Sequence, residues 1–386
     1  MTTYFNYDDM TWDAVAELPR DTPLVLPLGS GYDLNLLASQ LSDPPRIGLL
    51  PPFPFGWRGS GLELPEPIFF QYISNLLDSL RDDGFSRIFC LMPQGLNPQS
   101  FYTLHPTSCL TLPHATQKRD LILPPDSERG KVILFPIGHT EQHGYHLPLS
   151  VDTIIIDAIA KGTVNKMPTR SYAMPVMPYG VSTHRSSFAA TMNAGGRAFE
   201  DFWLAVVDVL VQRGFGRFYL MSGHGGNSSF LVNIVKYAGE QHRRIFCATA
   251  WLHTSGKIGA AALEKYRTSP IGGMGHACEL ETSFLLHLRP DLCQMERVVD
   301  EMDFVASPDY YMDWIEGGSL VANPPWDDDT KTGAYGAGSH GTAEKGRLWL
   351  EAAIEEKAVH VEEIHQQHER REKRRREGYG LWGKIK

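Results

Sequence analysis

Apolar positions in the middle of the chain follow two rhythms. Lys131-Val-Ile-Leu-Phe-Pro-Ile137 is a short apolar run closed by Gly138, which predicts a strand buried in a parallel sheet. From Ala198 to Gln212, Phe199, Phe202, Trp203, Val206, Val207 and Leu210 recur at helical spacing. Gly214 then offers a residue able to stop that helix in the left-handed conformation. Arg217-Phe-Tyr-Leu-Met221 predicts another buried strand, ending at Ser222-Gly-His-Gly-Gly-Asn227. Strand, helix and strand in this order predict βαβ units and an α/β fold with a mostly parallel sheet. Ligands of such sheets collect at the carboxyl ends of the strands.

The same rhythm occurs twice. Asp83-Gly-Phe-Ser-Arg through Gly95-Leu-Asn97 lies without a gap over Arg213-Gly-Phe-Gly-Arg through Gly225-Gly-Asn227. Each follows an amphipathic stretch, Phe69–Leu80 in one case and Ala198–Leu210 in the other. Phe53-Pro-Phe-Gly56 matches Met177-Pro-Tyr-Gly180, and Leu26-Pro-Leu-Gly29 matches Phe135-Pro-Ile-Gly138. Three matches in one order predict a tandem duplication, with 1–115 a degenerate copy of the unit that starts near 128. The copies differ where chemistry would be: Tyr32, Leu34 and Gln94 stand in the first where Glu141, His143 and His224 stand in the second. The first copy therefore reads as chemically silent.

Composition narrows the class. At 386 residues, 42% hydrophobic and 21% charged, the chain reads as two globular domains or one large one. The five scattered cysteines, without a CxxC, argue against a disulfide framework or a cysteine-only zinc site and point to reduced thiols in a cytoplasm. No apolar run is long enough to cross a membrane, and the first residues lack the pattern of a signal peptide. The net charge is −9, but Glu369–Lys386 carries eight Lys/Arg against three Glu, so the rest holds −14. An acidic body gives no reason to expect nucleic acid as a partner. The basic tail, 364–386, reads as a solvated helix end whose cations complement the helix dipole. Contact with RNA, acidic lipid or a neighbouring subunit is the sharper alternative.

Candidate chemistry lies at the predicted strand ends. In Gly138-His-Thr-Glu-Gln-His-Gly-Tyr-His-Leu-Pro-Leu-Ser-Val-Asp152, Glu141 and His143 are two apart, so extended backbone projects both the same way. Asp152 can return to that place after the Pro148 turn. His224 sits in a glycine-rich strand end that a ligand can approach closely. His276-Ala-Cys-Glu-Leu-Glu281 precedes another apolar run. Together they form a mixed N/O set suited to Zn²⁺, Mn²⁺ or Fe²⁺, with enough carboxylates to bridge two ions. Taken singly, each has a plainer reading. A lone His or Glu near a strand end is more often a hydrogen-bonded structural group, and His276 with Glu279 could be a helix-surface pair. The glycine-rich loop could hold phosphate, but it lacks a GxxxxGK[ST] motif.

Gly138-His-Thr-Glu-Gln-His-Gly-Tyr-His-Leu-Pro-Leu, Ser222-Gly-His-Gly-Gly-Asn and Gly275-His-Ala-Cys-Glu-Leu-Glu-Thr-Ser resemble the three signature blocks of the creatininase (creatinine amidohydrolase) family. Gly333 to Gly346 is similar to its closing block. The resemblance covers 128–363 and implies a three-layer α/β/α sandwich, with a dinuclear metal site at the strand ends. It implies Glu141, His143, Asp152 and His224 as metal ligands, with Asp152 the bridge. Creatininase takes a further carboxylate two residues after the His of its Gly-His motif. Gly226 stands there in this chain, and Glu279 is the expected substitute. His276 matches the acid/base histidine, with Glu281 in support. His184, Arg185, Tyr179 and Asn227 are the expected substrate-binding residues. Phe188-Ala-Ala-Thr191 departs from the Phe-Pro-Gly-Thr of relatives, which moves the expected substrate away from creatinine.

The expectation is a metal-dependent hydrolase of C–N bonds other than peptide bonds, acting on a small amide, cyclic amide or formamide. Its cofactors would be two divalent ions per chain, zinc first, with manganese or iron as alternatives. The alternatives in function are a metal-dependent isomerase, dehydratase or ring-opening enzyme, and a non-catalytic scaffold. Because family members form hexamers, a duplicated chain would form a homo-oligomer, a trimer imitating the hexamer.

Overall fold

Two separate parallel sheets, their central strands buried on both faces, make up the computed structural model, which describes residues 2–96, 108–113, 123–183, 187–311, 313–315 and 317–379. The first sheet contains β1 (Thr3–Asn6), β2 (Leu24–Pro27), β3 (Arg46–Leu49), β4 (Ile88–Pro93) and β5 (Ser108–Leu112), in the order β1-β3-β2-β4-β5. The second contains β6 (Val132–Ile137), β7 (Ser171–Ala173), β8 (Arg217–Ser222) and β9 (Phe246–Ala250), in the order β7-β6-β8-β9. Every pairing in both is parallel. With β1 set aside, the two sheets have the same strand order. Corresponding isolated bridges, Leu28 with Phe53 and Ile137 with Met177, extend both just beyond their central strands. Asn97, part of the repeat in sequence, lies outside the described residues.

Helices cover the sheets as the α/β pattern predicts. After α1 (Trp12–Ala16), α2 (Leu34–Gln40) joins β2 to β3 and α3 (Glu66–Asp82) joins β3 to β4. In the second half α4 (Val151–Lys166), α5 (Gly196–Gln212) and α6 (Ser228–Gln241) form the successive crossovers, followed by α7 (Lys257–Tyr266), α8 (Glu279–Leu288) and α9 (Ala343–Arg376). Residues of β6 alternate between two cores, as strand geometry requires. Val132 and Leu134 pack with Ile155, Phe284 and Trp349 of α4, α8 and α9. Ile133 and Phe135 pack with Phe199 and Trp203 of α5. The second sheet thus lies between two helical layers. The core on its α5 side also contains Leu24, Leu26, Phe53, Phe69 and Tyr72, so both sheets share it.

Helices α3 and α5 meet in that shared core. The rings of Tyr72 and Phe202, positions that coincide when the repeats are overlaid, lie 4.8 Å apart. The Tyr72 hydroxyl donates to the Tyr179 carbonyl at 2.8 Å, and Asn75 donates to the Ala194 carbonyl at 2.6 Å. The first residues also reach across: Leu149 and Ser150 donate backbone N–H groups to the carbonyls of Met10 and Asp8. Those contacts fix the approach to Asp152. At the far end, α9 continues unbroken through 363/364, with Ile364 and His365 buried. The sequence boundary there is no structural break: apolar contacts with the second core continue through Ile364. Residues 380–386 of the tail lie outside the described residues.

Candidate metal centre

Three strand ends and the first turn of α8 converge on one buried cluster. The segment after β6 supplies His139, Glu141 and His143, all 0% exposed. Asp152 lies in the first turn of α4, His224 follows β8, and His276 ends β10 (Met274–His276). The last strand pairs antiparallel with β11 (Tyr335–Gly336). Gly138 lets the chain turn tightly beside α4, because a Cβ there would lie 2.5 Å from the Thr153 backbone.

Each of three imidazoles spends one ring nitrogen on a backbone carbonyl. His143 Nδ1 faces the Glu141 carbonyl at 3.1 Å, His224 Nε2 the Val181 carbonyl at 3.0 Å, and His276 Nε2 the Gln142 carbonyl at 2.8 Å. Only a protonated nitrogen can donate to a carbonyl, so the other nitrogen of each neutral ring presents a lone pair. These lone pairs face carboxylates. His224 Nδ1 is 3.0 Å from Glu141 Oε1 and 3.3 Å from Asp152 Oδ2. His143 Nε2 is 3.3 Å from Asp152 Oδ1 and 3.9 Å from Glu281 Oε1. His276 Nδ1 lies farther out, 3.9 Å from both Glu141 Oε1 and Glu281 Oε2.

Acceptors facing acceptors in a dry interior repel unless a cation lies between them. Three lone pairs and three carboxylates are a donor set for hard or borderline divalent ions. Asp152 touches both halves of the set, one oxygen toward His224 and the other toward His143, as a bridging carboxylate would. The residues present therefore fit divalent metal: three sets of close-lying donors are buried here, His139 with Glu141 and His224, Glu141 with His143 and His276, and His143 with Asp152 and Glu281.

Not every expected residue is here. Glu279 is turned away, its carboxylate held by Lys345 Nζ, the Thr268 and Ser269 N–H groups and the Thr268 hydroxyl. Two residues along a helix rotate a side chain by about 200°, so Glu279 and Glu281 cannot both face the cluster. Glu281 takes the place the sequence reading gave to Glu279, with Oε2 also accepting the Ala277 N–H at 2.6 Å. A Cβ on Gly226 would lie 2.4 Å from His224 Nε2, so no carboxylate fits at that position without displacing a ring of the cluster.

The expected substrate contacts need correction as well. Tyr179 is fully buried in the shared core, stacked on Phe53 at 5.9 Å, with its hydroxyl on the Pro51 carbonyl. Asn227, also 0% exposed, accepts from Val181 N–H at 2.9 Å and donates to the Gly138 carbonyl at 3.2 Å. It ties two strand ends together instead of facing a substrate. His184 and Arg185 lie outside the described residues. The sequence reading missed His139, although it continues the two-residue spacing of Glu141 and His143 that was already in view.

Beside His276 the wall is aromatic. The Trp326 ring meets the His276 ring at 5.0 Å and Tyr335 at 4.3 Å. Trp12, from the first unit, stacks on Tyr145 at 5.5 Å and meets Phe188 edge-on at 5.2 Å.

A buried carboxylate–imidazole cluster at the strand ends of an α/β fold has the donors of a divalent-metal centre, and the family match makes it that of a metal-dependent hydrolase. The chain belongs to the creatininase family (creatinine amidohydrolase), whose profile matches residues 124–361. It is 28% identical over 244 residues to a creatinine amidohydrolase of Pseudomonas putida, covering 58% of this chain and 86% of that one. It is 32% identical over 177 residues to a mycofactocin precursor peptide peptidase of Mycobacterium ulcerans, covering 43% and 62%. It is 28% identical over 200 residues to a 3-dehydro-scyllo-inosose hydrolase of Thermotoga maritima, covering 50% and 61%. The chain thus spans about three fifths of the length of these last two relatives. Among solved structures, one described as "Creatininase Mn" has a TM-score of 0.51 at 24% identity, covering 62% of this chain and 92% of its own. A second, a creatininase in which one tryptophan is replaced by alanine, has a TM-score of 0.53 at 24% identity, covering 61% and 91%. The likeness to these two structures is one of fold.

Proposed function

We propose that the second unit hydrolyses a C–N bond in a small amide, cyclic amide or formamide, with two divalent ions held by Glu141, His143, Asp152, His224 and Glu281. The observation that carries this reading is the set of imidazole lone pairs aimed at carboxylates in a fully buried cluster. When bound, the ions supply an acidified water and polarise a carbonyl. The chain's own residues supply the rest. Backbone carbonyls of Glu141, Val181 and Gln142 fix which nitrogen of each ring faces the cluster. His276 Nδ1, at the outer side of the cluster, would take a proton and return it to the departing nitrogen. Trp326 covers the other edge of that ring and limits water. Zinc is the first expectation, with manganese or iron as alternatives.

The relatives named above act on creatinine, a mycofactocin precursor peptide and 3-dehydro-scyllo-inosose, so the family name alone does not select the substrate. The departure at Ala189 and Ala190 and the aromatic wall argue against creatinine itself. The test is a screen of lactams, formamides, cyclic ureas and short peptides with the metal-loaded protein. Turnover that ceases on chelation supports the reading. Full activity with no bound divalent ion overturns it.

The first unit reads as a degenerate copy, residues 1–115, beside a catalytic unit, 128–363. Its support is the shared strand order, the three sequence matches and the contact of Tyr72 with its own counterpart, Phe202. A contact between equivalent positions is the mark of a two-fold interface. On this reading one chain imitates a dimer, and three chains build what six build in relatives. A mass in solution near that of one chain would count against the trimer.

A further inference from the structure

We propose that His139 is a positioning residue: its Nε2–H faces one oxygen of Glu141 across 3.8 Å, an electrostatic contact longer than a hydrogen bond, and steers the carboxylate so that the other oxygen is presented to a metal ion. The proposal rests on the two-ion reading given above and concerns a side chain which that reading does not use.

The two oxygens of Glu141 have different surroundings. Oε1 faces inward, 3.0 Å from His224 Nδ1, 3.9 Å from His276 Nδ1 and 4.0 Å from His143 Nε2. Oε2 faces His139 Nε2 at 3.8 Å. The tautomer of His139 follows from its other nitrogen. Gly180 N–H donates to Nδ1 at 2.9 Å, so the neutral ring carries its proton on Nε2. A nitrogen bearing a proton has no lone pair for a metal, which sets His139 apart from His143, His224 and His276. In those rings the bonded nitrogen is the donor; in His139 it is the acceptor.

The ring is held as a positioning group requires. It is 0% exposed, packs on the His224 ring at 4.4 Å, and its carbonyl accepts the Thr153 hydroxyl at 3.1 Å. His139 thus links three parts of the site: the loop after β7 through Gly180, the start of α4 through Thr153, and Glu141 itself. Outer partners of this kind tune metal affinity by about 10- to 100-fold in other sites.

The experiment is titration of the metal-free full-length protein with Zn²⁺ against a competing chelator, with thermal unfolding of each metal-free variant alongside. His139→Asn keeps an acceptor for Gly180 N–H but has no donor long enough to reach Glu141. His139→Gln extends an amide nitrogen to the place of Nε2. The proposal expects the wild-type chain to bind two ions. His139→Asn should lose about 10- to 100-fold in affinity for one of them, with His139→Gln restored to within about threefold. Wild-type affinity for both ions in a folded His139→Asn overturns the role of His139 alone. A Gln variant as weak as the Asn variant also overturns it, because the ring would then be acting as a ligand. Should His139→Asn not fold, a tenfold loss in His139→Gln overturns the proposal and near-native affinity supports it. A wild-type chain that takes up no divalent ion overturns both this proposal and the reading it rests on.

Discussion

Glu279 and Glu281 stand on one helical turn yet have opposite fates, and substitution separates them. Glu281→Gln should lose one ion and more than about 100-fold in activity, because it changes a ligand instead of an outer partner. Glu279→Gln should retain both ions but destabilise the fold by about 3 kcal/mol, since Lys345 loses the partner of a largely buried pair. Metal content and denaturant unfolding read the two effects apart. A Glu279→Gln protein without metal would reverse the assignment. The ligand types were legible in the sequence because each lies in a short motif at a strand end. Which of two nearby glutamates faces inward was not, since that depends on the rotation of α8 against Lys345 of α9. Tyr179 and Asn227 differ from expectation for a related reason: polar side chains at strand ends also serve to tie loops together, and only their backbone hydrogen-bond partners show which task they perform.

Asp8 gives a pH prediction at the same scale. Burial, then the neighbouring Asp9, pushes its carboxyl up to about 6. Between about pH 4 and 6 the native chain keeps a proton that the unfolded chain has released, so stability falls as pH rises through that window. Asp8→Asn removes the effect. Its melting temperature relative to wild type should rise from pH 4 to pH 7, and a constant difference would show that Asp8 titrates normally.

At the scale of elements, the N-terminal segment supports the site without entering the ligand set. Met10 and Asp8 accept from Leu149 and Ser150, Arg297 pairs with Asp13, and Trp12 Nε1 donates to the Thr332 carbonyl at 2.9 Å. Deleting residues 2–13 should therefore weaken metal binding by at least about tenfold, even though no ligand is removed. Unchanged metal affinity in a folded truncation would contradict that. The helix and strands predicted around Ala198–Met221 match α5 and β8 closely, because their apolar rhythm is strong and Gly214 punctuates it. The link from Met10 to Leu149 spans well over a hundred residues and leaves no local pattern to read.

At the scale of the whole molecule, a shared aromatic core joins a unit with the metal cluster to one that has Tyr32, Leu34 and Gln94 in the matching places. Phe202 is fully buried and meets Phe53, Phe55 and Tyr72. Phe202→Ala should cost about 3–5 kcal/mol in unfolding measurements, and a loss below about 1 kcal/mol would mean the core does not couple the two sheets. The proposed relation between the halves rests on three short sequence matches and a shared strand order. The packing of equivalent helices α3 and α5 on each other was not legible in those matches, because sequence similarity carries no information about which faces meet.

The proposed function stands or falls with the uptake of two divalent ions by the one buried cluster around Asp152. Elemental analysis of the purified full-length chain, beside Asp152→Asn, tests it most directly. The wild type should contain two equivalents of divalent metal, and the variant should lose at least one together with hydrolytic activity. Metal retained in full by Asp152→Asn, or a fully active chain containing none, would contradict it.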